Sequence, residues 1–290
     1  MNSIRIAIQG GPASFHDAAA RQLHHDHLIE TVPCTTFRSL STALAGGAVD
    51  AAVMAIENTL AGSLLPNYSL LQEHHLHVTA EAWLPIDQNL MALPGQKLED
   101  IRTVLSHPVA LAQCSNFFLQ HPHLQAQEAH DTADSAKAIQ EQQLKGVAAI
   151  AGAAAAALYN LEVLEANVAD STNNFTRFLL LQREKTEIPA TADKAILLFR
   201  KPLHTSTLTL LLSLLQKHQV EVKLLQTLPS TDARGFLVME LEAADLLQLQ
   251  EAIAQVKPLV EKMQVLGPLQ KAALPTTANT RQHKAILPTA

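Results

Sequence analysis

The sequence predicts an α/β protein of two lobes enclosing a cleft, followed by a smaller ferredoxin-like unit of order βαββαβ. Three observations predict it. Four strand-to-helix junctions with polar caps fall in two runs, separated near residue 80 and again near residue 165, a pattern that fits two α/β lobes with a ligand between them. The stretch Val49 to Ile56 is almost continuously apolar, like strands of a parallel sheet covered by helices on both faces. From Lys194 to Leu269 the periodicity alternates strand, helix, strand, strand, helix, strand, the order of the split βαβ motif.

The elements follow in order. Ile4 to Ile8 reads as a strand that breaks at Gln9-Gly10-Gly11-Pro12-Ala13-Ser14 into a turn capping a helix near His16. Such a turn aims backbone N–H groups at whatever lies above the strand, which suits carboxylates or phosphates; equally, it is an ordinary structural turn. No later glycine completes a dinucleotide fingerprint, and no phosphate-binding Gly-Lys-Ser/Thr occurs. Thr36 to Leu44 is helical in period and Gly46-Gly47 closes it. The strand Val49 to Ile56 then delivers Glu57-Asn58-Thr59-Leu60-Ala61-Gly62-Ser63 at its carboxyl end, where open α/β sheets bind ligands; the alternative is a turn capping the helix of Leu64, Leu65, Tyr68, Leu70 and Leu71. Strands follow at Val78 to Leu84 and Gln88 to Leu93. Val104-Leu105 opens through Ser106, a natural cap, and Pro108 into a helix. After a polar loop, Asp131 caps another helix, Val147 to Ile150 is a strand, and 151–158 is an alanine-rich helix.

Arg183 to Asp193 reads as a charged linker. The third unit has strands at Ala195 to Phe199, Val220 to Gln226, Phe236 to Leu241 and Met263 to Leu266, helices at Thr207 to His218 and Ala244 to Val256, and a turn at Pro229 to Gly235. The tail from Lys271 is expected to be disordered or loosely attached.

Bulk properties exclude several functions. The 290 residues give about two domains' worth of length, with 48% hydrophobic content for their cores. A formal charge of -6, without a basic cluster longer than a pair, leaves no footprint for nucleic acid or an anionic membrane. No apolar segment approaches the roughly 20 residues of a membrane span. The two cysteines, Cys34 and Cys114, lie far apart and no signal peptide is recognisable, so a reducing cytoplasm is expected. Among the fourteen histidines, the clusters at 24–27 and 74–77 lack a second ligand and carboxylate at zinc spacing, so no metal is expected. Cys114 reads as a buried thiol rather than a nucleophile, and no Gly-x-Ser-x-Gly elbow occurs.

Site chemistry concentrates in Asn173-Asn174-Phe175-Thr176-Arg177-Phe178, directly before the apolar run Leu179-Leu180-Leu181. A plain core strand needs neither the hydroxyl, the guanidinium nor the amides. Phe175 and Phe178 alternate with Thr176 and read as core.

These residues carry a resemblance. The stretch ending at Phe178 is similar to the Asn-x-Thr-Arg-Phe signature of prephenate dehydratases, and Ile56 to Ser63 to their Ile-Glu-Asn-Ser-x-x-Gly-Ser segment. Ser106-His107-Pro108, Ala110 to Cys114 and Asp131-Thr132-Ala133 resemble further blocks, in the family's order and spacing over residues 4–181. The C-terminal unit looks like their ACT regulatory domain. The resemblance implies a periplasmic-binding-protein-like catalytic region at 1–182, with one lobe at about 1–79 and 165–182 and the other at about 80–164. An ACT domain at 194–270 and a tail at 271–290 complete it. It implies conversion of prephenate to phenylpyruvate, water and carbon dioxide on the route to L-phenylalanine, no cofactor, a homodimer or homotetramer, and L-phenylalanine as a ligand of the ACT domain.

On this resemblance Thr176 is the catalytic threonine, hydrogen-bonding or protonating the departing hydroxide. Asn58, Thr59 and Ser63, with the amides at Ser106 and the 10–14 turn ending on Ser14, would hold the pyruvyl carboxylate. Glu57 either orients the leaving hydroxyl or supports Asn58 from behind. Arg177 either anchors a carboxylate or, since alternation turns it away from the face of Thr176, forms a structural salt bridge to the other lobe. The chemistry fits: the substrate is a dianion with one leaving hydroxyl, and forming an aromatic ring drives the reaction, so the protein need only orient, donate and desolvate.

The chain departs from the family in three places. Ala13 replaces a glycine, so the turn must avoid positive φ or find another route. Ser206-Thr207-Leu208 stands for Gly-Ala-Leu, and Gln226-Thr227-Leu228-Pro229 for Glu-Ser-Arg-Pro; weak phenylalanine sensitivity is expected. Two other functions fit the same pattern: an arogenate dehydratase acting on the transaminated substrate, and a ligand-sensing protein with a borrowed cleft.

Overall fold

The computed structural model describes residues 3–200, 204–229 and 235–275. The first lobe comprises β1 (Ile4–Gln9), α1 (Phe15–Leu23), β2 (Ile29–Cys34), α2 (Phe37–Ala45), β3 (Ala51–Asn58), β4 (Gly62–Ser63), α3 (Leu65–Glu73) and β5 (His77–Pro85). The second comprises β6 (Asn89–Ala92), β7 (Thr103–Ser106), α4 (Pro108–Ala112), α5 (Ser115–Gln120), β8 (Gln125–Glu128), α6 (Thr132–Gln142), β9 (Val147–Ala151), α7 (Ala153–Leu158) and β10 (Glu162–Glu165). The chain then returns to the first lobe as β11 (Phe175–Gln182). The third unit is β12 (Lys194–Arg200), α8 (Thr205–Lys217), β13 (Glu221–Leu228), β14 (Phe236–Glu242), α9 (Leu246–Val256) and β15 (Gln264–Leu269).

Among the described residues these strands form three sheets, ordered β2-β1-β3-β11-β5 with β4 beside β3, β10-β6-β9-β7-β8, and β13-β14-β12-β15. In the first sheet β1, β2 and β3 are parallel, and β11 runs antiparallel between β3 and β5. The third sheet, read from β15, has the 4-1-3-2 order of the ferredoxin-like motif. The expected α/β class, two lobes and βαββαβ order are all present.

Alternation along the first sheet gives it two apolar faces. Ile6, Ile8, Val53, Ala55, Leu84, Phe178 and Leu180 pack under α1. Met54, Ile56, Leu179 and Leu181 face the other way and share one cluster with Ile196, Leu198, Val238 and Leu266 of the third unit. The third unit is therefore joined to the first lobe through a common core.

Several boundaries differ from the sequence reading. The crossover out of the first lobe falls after Pro85, not near residue 80, because β5 pairs with β11 along its length; the return strand begins at Phe175, not near 165. The strands β2, β8 and β10 escaped notice: all three are edge strands carrying polar residues, with Pro33 in the first and the exposed run Gln125–Glu128 as the second. The tail is attached where it starts: the Lys271 amide donates to Asp193 Oδ1 at 2.7 Å and the Ala272 amide to Glu81 Oε1 at 3.0 Å. The tail beyond Pro275 and most of the turn expected at Pro229 to Gly235 lie outside the described residues. Ala13 takes the left-handed conformation directly, at φ +63°, instead of avoiding it, at a cost of about 1–2 kcal/mol for a residue with a Cβ.

Candidate active site

A β-bulge between β3 and β11 decides what these strands present. Leu180 pairs with Val53, Leu179 with Met54 and Phe178 with Ala55; then one residue is skipped, so that Arg177 stands opposite Glu57 and Thr176 opposite Asn58. Ile56 is the extra residue. In an unbroken ladder Thr176 would face Glu57, since one residue of slip exchanges the two faces of a strand. Side chains meet the backbone of Ala55 at the bulge: its N–H donates to His16 Nε2 at 3.4 Å, and its carbonyl accepts from Asn67 Nδ2 at 2.7 Å. Burial drives the His16 pKa down to about 3, which keeps the ring neutral and Nε2 available as an acceptor. Phe178 packs edge-on against it, with centroids 5.0 Å apart.

On the Thr176 face the polar groups form a chain. Asn58 Nδ2 donates to Thr176 Oγ1 at 3.0 Å and to Asn174 Oδ1 at 2.8 Å, while Asn58 Oδ1 accepts from the amides of Leu60 and Ala61. Asn174 Nδ2 donates to Gln113 Oε1 at 2.9 Å, and Gln113, closing α4, belongs to the second lobe. Thr176 is 9% exposed. Because its oxygen already accepts from Asn58, the hydroxyl is set up to donate its own proton, and the accepted bond polarises it further.

The lobes also meet at the turn after β1. A Cβ on Gly10, at φ +82°, would lie 2.6 Å from Asp131 Oδ2 of the second lobe. Only glycine meets both the conformation and the approach. Tyr159 donates to the Pro12 carbonyl at 3.2 Å. Asp131 accepts from the Ala133 and Asp134 amides as the cap of α6, and burial raises its pKa.

The expected site residues separate into groups. Thr176 and Asn58 come together as anticipated. Thr59 is adjacent, but its hydroxyl accepts from the Phe175 amide at 2.9 Å and donates to the Asn173 carbonyl at 3.0 Å, so it pins the start of β11 rather than presenting a ligand group. Ser14 accepts from the Asp17 amide as the cap of α1, and the Ala13 amide donates to Asp17 Oδ2, so this turn largely satisfies itself. Ser106 is fully buried and donates to the Ile150 carbonyl at 2.6 Å; the cap of α4 is His107, which accepts from the Val109 amide. Ser63 pairs with Glu57, on the face opposite Asn58.

Glu57 and Arg177 are corrections. Both point away from Thr176, toward the third unit. Arg177 is 2% exposed and holds Glu240 of β14 in a bidentate pair, Nη1 to Oε2 at 2.8 Å and Nη2 to Oε1 at 2.6 Å. Glu81 at 3.3 Å, Glu57 at 3.1 Å and the Tyr68 hydroxyl at 3.1 Å also contact its terminal nitrogens. The alternation reading of Arg177 holds, but its partner is the third sheet rather than the other lobe. Burial opposes its charge, and Glu240 more than compensates, holding its pKa above the ordinary arginine value.

Asn174, Gln113, His16, Asn67 and Glu240 are the residues that sequence reasoning passed over. Asn174 and Gln113 lie inside segments already singled out. The other three owe their roles to long-range contacts with no local signal. The Cys114 thiol is fully buried, and burial with nearby Asp170 pushes its pKa up to about 12, in keeping with a structural thiol. Ser206, exposed, and the half-buried Thr207 and Leu208 occupy the first turn of α8; exposed Gln226 and Thr227 lie near the end of the edge strand β13. Among the described residues no group of three or more His, Cys, Asp or Glu is placed to hold a metal.

These features define a two-lobed α/β protein with a carboxamide and hydroxyl cluster where the lobes join. Residues 6–186 match the family model for prephenate dehydratase, and the chain belongs to that family. It is 42% identical over 183 residues to the arogenate dehydratase/prephenate dehydratase 1 of Arabidopsis thaliana, covering 63% of this chain and 46% of that protein. The chain thus spans about half the length of that curated relative. Among solved structures, GqqA, described as a novel type of quorum quenching acylase, superposes with a TM-score of 0.81 at 30% identity, over 92% of this chain and 98% of that one. The fold also matches the prephenate dehydratase of Arthrobacter aurescens, solved with L-Phe, with a TM-score of 0.81 at 24% identity over 97% of both chains.

Proposed function

We propose that this chain catalyses the decarboxylating dehydration of prephenate to phenylpyruvate, water and carbon dioxide in L-phenylalanine biosynthesis. The observation that carries the reading is the chain Thr176–Asn58–Asn174–Gln113, which joins a polarised hydroxyl to both lobes. In the reaction, the ring C–OH bond breaks as carbon dioxide leaves. The electron pair of the C–CO₂ bond enters the ring, and Thr176 donates to the departing hydroxide. A threonine is a weak acid, so it serves only in a water-poor cleft, toward a strongly basic leaving group. The second lobe, through Gln113, fixes Asn174 and hence Asn58, so the donor is positioned before the barrier is reached.

The relatives' names favour arogenate as a second substrate. Incubation of the purified protein with each compound, with product ketoacid or phenylalanine followed, separates the two readings. Absence of turnover with both sinks them together. GqqA raises acyl-amide cleavage as another arm, but that chemistry needs a nucleophile with an adjacent base, and the partner of Thr176 is the amide of Asn58. We assign the third unit as an ACT-type regulatory domain within a homodimer or homotetramer. Ser206 and the uncharged Gln226-Thr227 pair weaken L-phenylalanine binding; inhibition at low micromolar phenylalanine would overturn this.

A further inference from the structure

We infer that Glu240, on the third unit, is a positioning residue for Thr176 and acts on it through Arg177. The inference rests on the proposed role of Thr176 for its kinetic consequence, though not for its geometry. Arg177 directly follows Thr176, and successive strand residues point to opposite faces, so fixing one side chain fixes the peptide that aims the other. The anchor matters here because the bulge in β3 interrupts the β3–β11 ladder between Arg177 and Phe178, leaving β5 as the neighbour whose pairing is continuous across these residues.

The anchor is incomplete without the third unit. Among the described residues, Glu240 is the carboxylate that takes both terminal nitrogens of Arg177. Glu81 contacts one of them at 3.3 Å and is shared with Lys194 at 3.1 Å, and Glu57 is part exposed. Glu240 is itself held: it is 3% exposed, Tyr68 donates to it, and Lys194 Nζ lies 3.6 Å away. Burial penalises its charge, but Arg177 keeps its pKa below the usual carboxylate value. A cavity of about 380 Å³, lined by Trp83, Lys223 and Lys271 among others, borders the network. With Glu240 neutralised, the guanidinium has somewhere to turn, and the strand loses its fixed point.

The test uses the full chain carrying Glu240→Gln, which keeps the shape and removes the charge. Expected is a fall in kcat on the order of 10–100-fold, as for a small misplacement of a reacting group, with KM little changed. Amide hydrogen exchange should accelerate in peptides spanning 173–179 and stay unchanged in β1. Combining it with Arg177→Met should slow turnover no further than Arg177→Met alone, since both act along one path. Unchanged kcat, unchanged exchange in 173–179, or multiplicative losses in the double variant would each overturn the inference. If Glu240→Gln fails to fold, Glu240→Asp, which keeps charge but shortens reach, is held to the same three criteria. If wild-type protein turns over neither prephenate nor arogenate, the functional reading fails and the exchange measurement alone decides the coupling.

Discussion

Thr176 and Asn58 show how a weak group is made useful. A hydroxyl in water has no directional preference, but one that accepts from a carboxamide fixed by two backbone amides has its proton aimed. Thr176→Val keeps the shape and removes the donor; kcat should fall about 10²–10³-fold with the melting temperature nearly unchanged, as steady-state kinetics and calorimetry will report. His16 works through the opposite property, a ring that must stay neutral. Its pKa is about 3 folded against 6.5 unfolded, so the unfolded state binds more protons between those values. Its contribution is complete above pH 6.5 and declines as pH falls toward 3, by at most ~1.4 kcal/mol per unit. Denaturant titrations between pH 6.5 and 5, above the carboxylate range, should show this slope in wild type and a shallower one in His16→Gln, where the partly buried His24, His77 and His107 still contribute. Ala13 pays for its Cβ at φ +63°; Ala13→Gly relieves that strain against a smaller gain of unfolded-state entropy, for a net stabilisation of about 0.5–1 kcal/mol in the same assay.

At the level of elements, the bulge in β3 is the decisive feature. Its extra residue, Ile56, places Asn58 beside Thr176 and sends Glu57 to the Arg177 side. Deleting Ile56 removes the extra residue and leaves a regular ladder with Glu57 still opposite Arg177 and Asn58 still opposite Thr176. Turnover should therefore persist with most of the circular dichroism signal retained, and its loss below detection in a folded variant would refute the register argument. The glycine turn after β1 is constrained from the other side. Gly10→Ala places a carbon 2.6 Å from Asp131 Oδ2 in a backbone conformation that disfavours it, so either the Asp131 side chain shifts from its place at the cap of α6 or the lobes separate. A drop in stability of roughly 1–3 kcal/mol and a raised KM are expected, the first from denaturation and the second from kinetics.

Over the whole molecule, the third unit is part of the scaffold. Leu179, Leu181 and Met54 share a core with Ile196, Leu198 and Val238, and the four buried charges Arg177, Glu81, Lys194 and Glu240 come half from the first lobe and half from the third unit. Breaking such a group by removing one partner costs about 3–5 kcal/mol. A chain truncated after Asp193 should therefore aggregate or unfold well below the temperature of the intact protein; a soluble, fully active fragment with an unchanged melting temperature would contradict the shared core.

Periodicity determined the α/β class, most strands and helices and the βαββαβ order, because these depend on local alternation, capping and turn chemistry; the two segments that carry Asn58 and Thr176 stood out by their residue types and by the family resemblance. The Thr176–Asn58 pairing is near the limit of that legibility: the residues are adjacent in the site but 118 apart in sequence. The direction of Glu57, the partner of Arg177, the service of Ser14 and Ser106 as internal ties, and the roles of His16, Gln113 and Glu240 were decided by the tertiary structure. A one-residue bulge reverses which face a side chain takes, and a buried charge is satisfied by whichever group the packing brings within reach; neither event leaves a mark in the sequence around it.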